Sequence, residues 1–218
     1  MPFFTNRMKV LIAVSVSGIK QSDHLMHMVK EDPKNIAIIS YGSKSSATND
    51  DRSAIINMTT NKNVLRSMAL ASPAEWVLFL DDSVYLPKGS IEKFLKEGKE
   101  IMGGWYQSSG AVVWSTLSEN KEGRFEFFTK PEKGTAEVGA LGLGCLMVHR
   151  PTLMKIAFEP GFEHVSLIDG MKQKDGPFPH MGDALAFAFS AKKIEEKIAM
   201  VGDVVCGPEM LAKEEKTK

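Results

Sequence analysis

Apolar residues in this chain fall into two patterns: short unbroken runs, and stretches where they recur every three or four positions. Val10–Val14, Ile36–Ile39 and Trp76–Leu80 are unbroken runs. A run without polar alternation predicts a strand buried on both faces, as in a parallel sheet covered by helices. Leu25, Met28 and Val29 sit at i, i+3 and i+4 and predict one apolar helix face, with Ser22 or Asp23 as N-cap. Asp50 to Ala71 carries Ile55, Ile56, Val64, Leu65 and Met68 and reads as a long helix. Asn61-Lys62-Asn63 is a point where it bends or breaks, and Pro73 ends it. Ile91, Phe94 and Leu95 give a short helix capped by Ser90 and closed by Gly98. Residues 9 to 98 therefore read β-α-β-α-β-α, the order of a doubly wound sheet. Right-handed crossovers bring its C-terminal strand ends to one edge, and ligands bind outside that edge.

The second half has a different texture. Ile101–Tyr106, Val112–Thr116 and Phe125–Phe128 read as short strands joined by Gly/Ser and charged turns. Gly144–His149 reads as a strand running into a helix opened by Pro151. Residues 159 to 182 are rich in Gly, Pro, Asp, Lys and His and lack periodicity, the mark of a functional or mobile loop. Ala184–Ala191 is helical, and Ile198–Val205 is a final pair of strands. No internal repeat is visible. The expected architecture is α/β, Rossmann-like and mostly parallel, in one domain over residues 1–210. About 9–106 form a nucleotide-binding half, about 107–210 an acceptor-side half, and 211–218 a charged tail.

Composition narrows the function classes. A chain of 218 residues buries a full core without disulfide or metal staples. Lys+Arg and Asp+Glu each total 27, so the formal charge is zero. Non-specific nucleic-acid binders carry a basic excess, so no nucleic-acid partner is expected. The run at Val10–Val14 is too short for a signal segment or a membrane span, and a cytoplasmic location is expected. Cys145 and Cys206 stand in apolar stretches with no CxxC pair. Two reduced, buried thiols are expected, rather than a disulfide between them.

Four places carry candidate chemistry. Asp81-Asp82-Ser83 follows the third apolar run directly. Paired carboxylates at a strand end are either a polar turn or oxygen ligands for a divalent cation and a diphosphate. Gly139-Ala-Leu-Gly-Leu-Gly144 permits close backbone approach to a ligand, or is simply a turn. It is not a dinucleotide fingerprint, because a strand follows it and not a helix. Asp183, after His180-Met-Gly, is a helix cap or a general base, with His180 as its support or facing solvent. Arg52 suits a diphosphate or a surface ion pair. Trp105, Tyr106 and Trp114 read as core or cleft-wall aromatics.

The order of these pieces resembles the GT-A-fold glycosyltransferases, especially small family-2-like members. Asn63 to Pro87, ending Trp-Val-Leu-Phe-Leu-Asp-Asp-Ser-Val-Tyr-Leu-Pro, is similar to their helix, strand and DxD-like region. Ile101-Met-Gly-Gly-Trp-Tyr106 resembles the strand that follows. Val138-Gly-Ala-Leu-Gly-Leu-Gly-Cys-Leu-Met-Val-His-Arg150 resembles the Gly-rich segment before the acceptor-side helix. Gly182-Asp-Ala-Leu-Ala-Phe187 resembles the "ED..F" segment, and Val204-Val-Cys-Gly-Pro208 a strand ending near a metal-binding His. The match runs over roughly residues 9 to 210.

The resemblance implies a hexosyltransferase-type enzyme that moves a sugar from a nucleotide-sugar donor to a glycan, lipid or protein acceptor. It implies assistance by a divalent cation, Mn²⁺ or Mg²⁺. Asp81 and Asp82 contact the metal and diphosphate, Asp183 is the base, Arg52 a nucleotide contact, and Gly142 and Gly144 line the sugar pocket. With Asp183 as base, direct displacement inverts the anomeric centre. Three positions depart from the pattern. Ser83 stands at the third DxD position. The "ED" pair is reduced to Asp183 with Ala184. Pro208 stands at the His position, beside Glu209, so the metal set becomes Asp81, Asp82, Ser83 and Glu209. Ser83 and Pro208 favour one rival, a catalytically degenerate nucleotide/nucleotide-sugar-binding module of the same fold. A nucleotidyltransferase calls for a basic Gly-rich loop after the first strand, and Ser15–Lys20 has one Gly and one Lys.

Overall fold

A computed structural model describes residues 9–15, 35–42, 51–82, 84–106, 116–128, 132–169 and 181–208. The described residues form a seven-stranded sheet. Its strands are β1 (Val10–Ser15), β2 (Ile36–Tyr41), β3 (Trp76–Asp81), β5 (Ile101–Trp105), β8 (Thr135–Val138), β10 (Cys145–His149) and β11 (Ile198–Val205). The spatial order is β2-β1-β3-β10-β5-β11-β8. The three unbroken apolar runs lie side by side and parallel, with Val10 opposite both Ile36 and Trp76. β10 runs antiparallel between β3 and β5, β11 is parallel to β5, and β8 is antiparallel at the edge.

The unbroken runs arise because both faces of this sheet are covered. Leu11, Ala13, Val77 and Phe79 belong to one apolar cluster, with Leu65 and Ala69 of the long helix α1 (Asp51–Ala71). Leu153 of α3 (Arg150–Lys155) and Leu185 and Phe187 of α4 (Met181–Lys193) complete that layer. Val10, Ile12, Val14, Leu78 and Leu80 belong to the opposite cluster, with Ile91 and Phe94 of α2 (Ser90–Glu97). Successive strand residues point to opposite faces, so both parities must be apolar.

Several sequence expectations need correction. α1 does not break at Asn61–Asn63. Asn63 exchanges hydrogen bonds with the Phe158 backbone at 2.8 and 3.0 Å, and Arg66 donates to the carbonyls of Leu153, Met154 and Ile156. Polar residues there tie the helix to α3 and the segment after it, so they do not interrupt it. Ser90 is the first helical residue of α2 and not its cap; Gly89 holds that place, and Ser90 Oγ donates to the Pro87 carbonyl. Gly98 closes α2 as expected, its N–H meeting the Phe94 carbonyl. β11 is one irregular strand where a pair was expected, its register shifting between Met200 and Val205.

Small elements complete the second half. β6 (Thr116–Glu119), β7 (Phe125–Phe127) and β9 (Ala140–Leu141) form a three-stranded sheet. β4 (Val84–Tyr85) pairs with β12 (Gly207–Pro208). Residues 159–169 are built structure, contrary to the expected loop. A 3₁₀ turn spans Phe162–Leu167, Ile168 is buried beside Phe125, and Arg124 ion-pairs with Asp169. The helix expected at Leu25–Val29 lies outside the described residues. So do the rest of the loop to His180, Trp114, and all but the last residue of the Val112–Thr116 strand.

Candidate functional site

β3 ends at Asp81, opposite Ser15 at the end of its parallel neighbour β1. The Asp81 N–H donates to the Gly144 carbonyl at 3.0 Å, and the Asp82 N–H to the Ser15 carbonyl at 3.2 Å. The backbone of Asp81 is therefore held by the residue before β10 and that of Asp82 by the last residue of β1. Asp81 is the last strand residue, so its side chain emerges at the carboxyl edge of the sheet with 21% exposure. This is the edge where open α/β sheets bind ligands.

The partner of Asp81 comes from α1. Lys62 Nζ lies 3.3 Å from Asp81 Oδ1, and the Lys62 side chain is 2% exposed. Burial alone lowers a lysine pKa, but the charges of Asp81 and Asp183, with the hydrogen bond to Asp81, hold this one above its usual value. Lys62 is thus a fixed, buried cation. Sequence reading passed over it as part of a polar break. The signal was present: Lys62 falls on the same helical face as Ile55, Leu65 and Ala69, all buried. A lysine on the apolar face of a helix is rare unless it is paired.

Asp183 sits in the first turn of α4 and is 4% exposed. Its Oδ1 has no hydrogen-bond partner among the described residues. Burial pushes its carboxyl up to about 6, while Lys62 pulls it down and Asp81 pushes it up. A buried polar atom without a partner is uncommon and calls for an explanation. An acceptor group that arrives only with substrate provides one.

Gly144 and Tyr106 close the constellation. The Gly144 N–H donates to the Tyr106 hydroxyl oxygen at 2.9 Å. A Cβ on Gly144 would lie 2.7 Å from Asp81 Oδ2 and 2.9 Å from both Tyr106 Cζ and its hydroxyl oxygen. A side chain there would force the Asp81 carboxylate or the Tyr106 phenol to shift. Burial first, then the charge of Asp81, keep the Tyr106 phenol well above its usual pKa, so it stays neutral. Its companion Trp105 is a core aromatic, packed edge-on against Phe128.

Asp81, Gly144 and Asp183 were singled out from sequence, and Tyr106 was read there as a core or cleft-wall aromatic; Lys62 joins them. Asp82 stands next to Asp81 in the turn. Gly142 is buried in the turn between β9 and β10. Arg52 lies in the first turn of α1, and its side chain is outside what is described. Ser83, His180 and Glu209 also lie outside the described residues. Pro208 pairs with Val84, so β12 reaches the turn after Asp81-Asp82. Among the described residues no group of three or more His, Cys, Asp or Glu side chains could hold a metal ion. A separate recess of about 430 Å³ runs along α4 past Ala186, Phe189 and Lys193 and contains none of these residues. Among the described residues no helix is long and apolar enough to cross a membrane. Cys145 and Cys206 are free and buried, as expected.

No family model and no curated protein matches this chain. Solved structures match it in fold. A197 from STIV aligns with a TM-score of 0.52 at 17% identity, covering 91% of this chain and 84% of that one. GalNAc-T7, solved with UDP, GalNAc and Mn²⁺, aligns with a TM-score of 0.51 at 9% identity. That match covers 94% of this chain and 44% of GalNAc-T7, so the chain spans less than half of that protein's length. Identity at this level establishes a shared fold, and function must be argued from the site. The architecture is the GT-A-like one that the sequence resemblance implied.

Proposed function

We propose that the protein is a glycosyltransferase that moves a sugar from a nucleotide-sugar donor to the hydroxyl of a glycan, lipid or protein acceptor. One observation carries this reading: Lys62 pairs with the carboxylate of Asp81 at the rim, and its charge acts on a second, buried carboxylate, Asp183, whose Oδ1 has no hydrogen-bond partner among the described residues. The donor diphosphate lies at Asp81, Asp82 and Lys62. Asp183 takes the proton of the acceptor hydroxyl as its oxygen bonds to the anomeric carbon. The bond to the diphosphate breaks, its electron pair leaves with the phosphate oxygen, and the configuration inverts. Lys62, already fixed and charged, stabilises that departing anion without reorganising. A carboxyl near pH 6 is a usable base at neutral pH, and much less acidic than an ordinary aspartate.

A divalent cation fits this donor set once the diphosphate is bound. Lys62 already engages Asp81 Oδ1. Asp81 and Asp82 would hold the ion together with oxygens of the diphosphate, a donor set that suits Mg²⁺ or Mn²⁺. The ion would add further neutralisation of the leaving group. Gly144 and Tyr106 shape the sugar side, the phenol offering its proton to a sugar oxygen.

Pro208 favours a second reading, since its side chain offers no ligand where the resembled family has a histidine. In that reading the fold binds a nucleotide-sugar without turning it over. A thermal-shift panel of nucleotide-sugars, with and without Mn²⁺, followed by assay of nucleoside diphosphate release, separates the two. Stabilisation with release supports transfer, stabilisation without release supports the binding module, and no stabilisation by any donor sinks both.

A further inference from the structure

Cys145 and Cys206 are 61 positions apart in sequence, yet Cys206 Sγ–H donates to Cys145 Sγ at 3.5 Å. Cys145 opens β10, and Cys206 follows the last residue of β11. These strands flank β5, so the two sulfurs meet across the strand between them. β5 carries Gly103-Gly104 at this point, and glycine weakens a strand interior unless another group needs the space. A Cβ on Gly104 would stand 3.2 Å from Cys206 Sγ and 2.7 Å from Val204 Cγ1. Gly104 therefore leaves the room in which Cys206 turns toward Cys145. Both cysteines are sealed in the same apolar cluster, at 0% and 2% exposure.

The pair also links the two segments that frame the candidate site. Cys145 follows Gly144, whose carbonyl holds the Asp81 N–H and whose own N–H meets Tyr106. The Cys206 N–H donates to the Trp105 carbonyl, beside Tyr106. Cys206 leads into β12, which pairs with β4 just beyond Asp81-Asp82.

We propose that Cys145 and Cys206 are an oxidisable dithiol, converted by a peroxide-class oxidant into an intrachain disulfide that locks β10 to the end of β11. One sulfur takes an oxygen atom from the peroxide, giving a sulfenic acid and one water. The other sulfur attacks it, loses its proton, and the second water leaves. The two sulfurs together lose two electrons, and the peroxide gains them. The gap must close from 3.5 Å to about 2.05 Å. The hydrogen bond to Cys145 and then burial push the Cys206 thiol up, so reaction is slow and waits on local opening of the β11–β12 seam.

The test uses the full reduced chain, treated with hydrogen peroxide under native conditions and then denatured and alkylated with iodoacetamide. The expected product has lost two hydrogens, takes up no alkyl group, and yields a linked Cys145–Cys206 peptide. Its melting temperature rises on the order of 10 °C, because the cross-link closes a long loop in the unfolded chain. Dithiothreitol reverses the rise. Cys145→Ser and Cys206→Ser each form no link, and the wild-type peptide map decides the matter if either variant fails to fold. Full alkylation after peroxide, oxidation of a single cysteine to its sulfinic acid, or a disulfide between two chains overturns the proposal.

Discussion

Lys62 Nζ holds Asp81 Oδ1 at 3.3 Å while its charge also acts on Asp183, so one ammonium from α1 serves both a strand end and a helix start. Asp81 at the rim has a buried cation in place beside it. Asp183 is held near 6, and not higher, because Lys62 opposes the effect of burial.

Removing that charge has a signed consequence. In Lys62→Met, Asp183 loses its main acid-strengthening neighbour, so its titration midpoint moves above about 6. Carbon-detected NMR titration of the Asp183 carboxyl reads this directly. A midpoint that stays put or falls would show that Lys62 and Asp183 do not communicate. Transfer falls about 100-fold in the same variant, through lost stabilisation of the leaving diphosphate.

Asp183 makes stability depend on pH in a predictable direction. Its folded-state value, about 6, is raised from the ordinary 3.8. The folded state therefore holds the proton more tightly between about pH 4 and pH 6. Stability from this group is complete below pH 4 and is lost as pH rises through 6. The loss at neutral pH is about 3 kcal/mol, from 1.36 kcal/mol per pH unit. Asp183→Asn should be more stable than wild type at pH 7.5, with the difference vanishing near pH 4, as read by urea unfolding. The same variant should lose about 10²- to 10⁴-fold in transfer, the usual contribution of a general base. Undiminished turnover with a confirmed acceptor would remove Asp183 from that role.

Gly144→Ala places a methyl group 2.7 Å from Asp81 Oδ2 and 2.9 Å from the Tyr106 oxygen. The expected cost is about 1–3 kcal/mol in stability, with weakened nucleoside diphosphate binding. Tyr106→Phe removes one of the three clashing atoms, the hydroxyl oxygen, so the double variant should recover part of the loss. A double-mutant cycle measures the coupling. Strict additivity would mean that the two residues do not share the space described.

Metal affinity should depend on nucleotide. With Lys62 on Asp81 and Pro208 unable to coordinate, the protein alone offers few anionic oxygens. Calorimetry should show negligible Mn²⁺ binding to the apo protein and clear binding once a nucleoside diphosphate is present. Tight, stoichiometric binding without nucleotide would contradict this account.

The sequence by itself determined the sheet and the strand end that carries Asp81. Runs such as Val10–Val14 and Trp76–Leu80 are apolar at both parities, and only a strand covered on both faces requires that. Gly98 closing α2 and Pro151 opening α3 were legible because each rests on a local backbone rule. Tertiary structure alone decided the meaning of the polar residues on α1. Asn61-Lys62-Asn63 reads locally as a helix break, and propensity has no term for a partner distant in sequence. The partners are the Phe158 backbone for Asn63 and Asp81 for Lys62. Tertiary structure alone likewise set the narrow gap at Gly144 and the meeting of Cys145 with Cys206, since both depend on which strands become neighbours. The reason is one of range: periodicity reports which face a residue shows to the core, while charge pairing and close approach depend on what the core brings to that face.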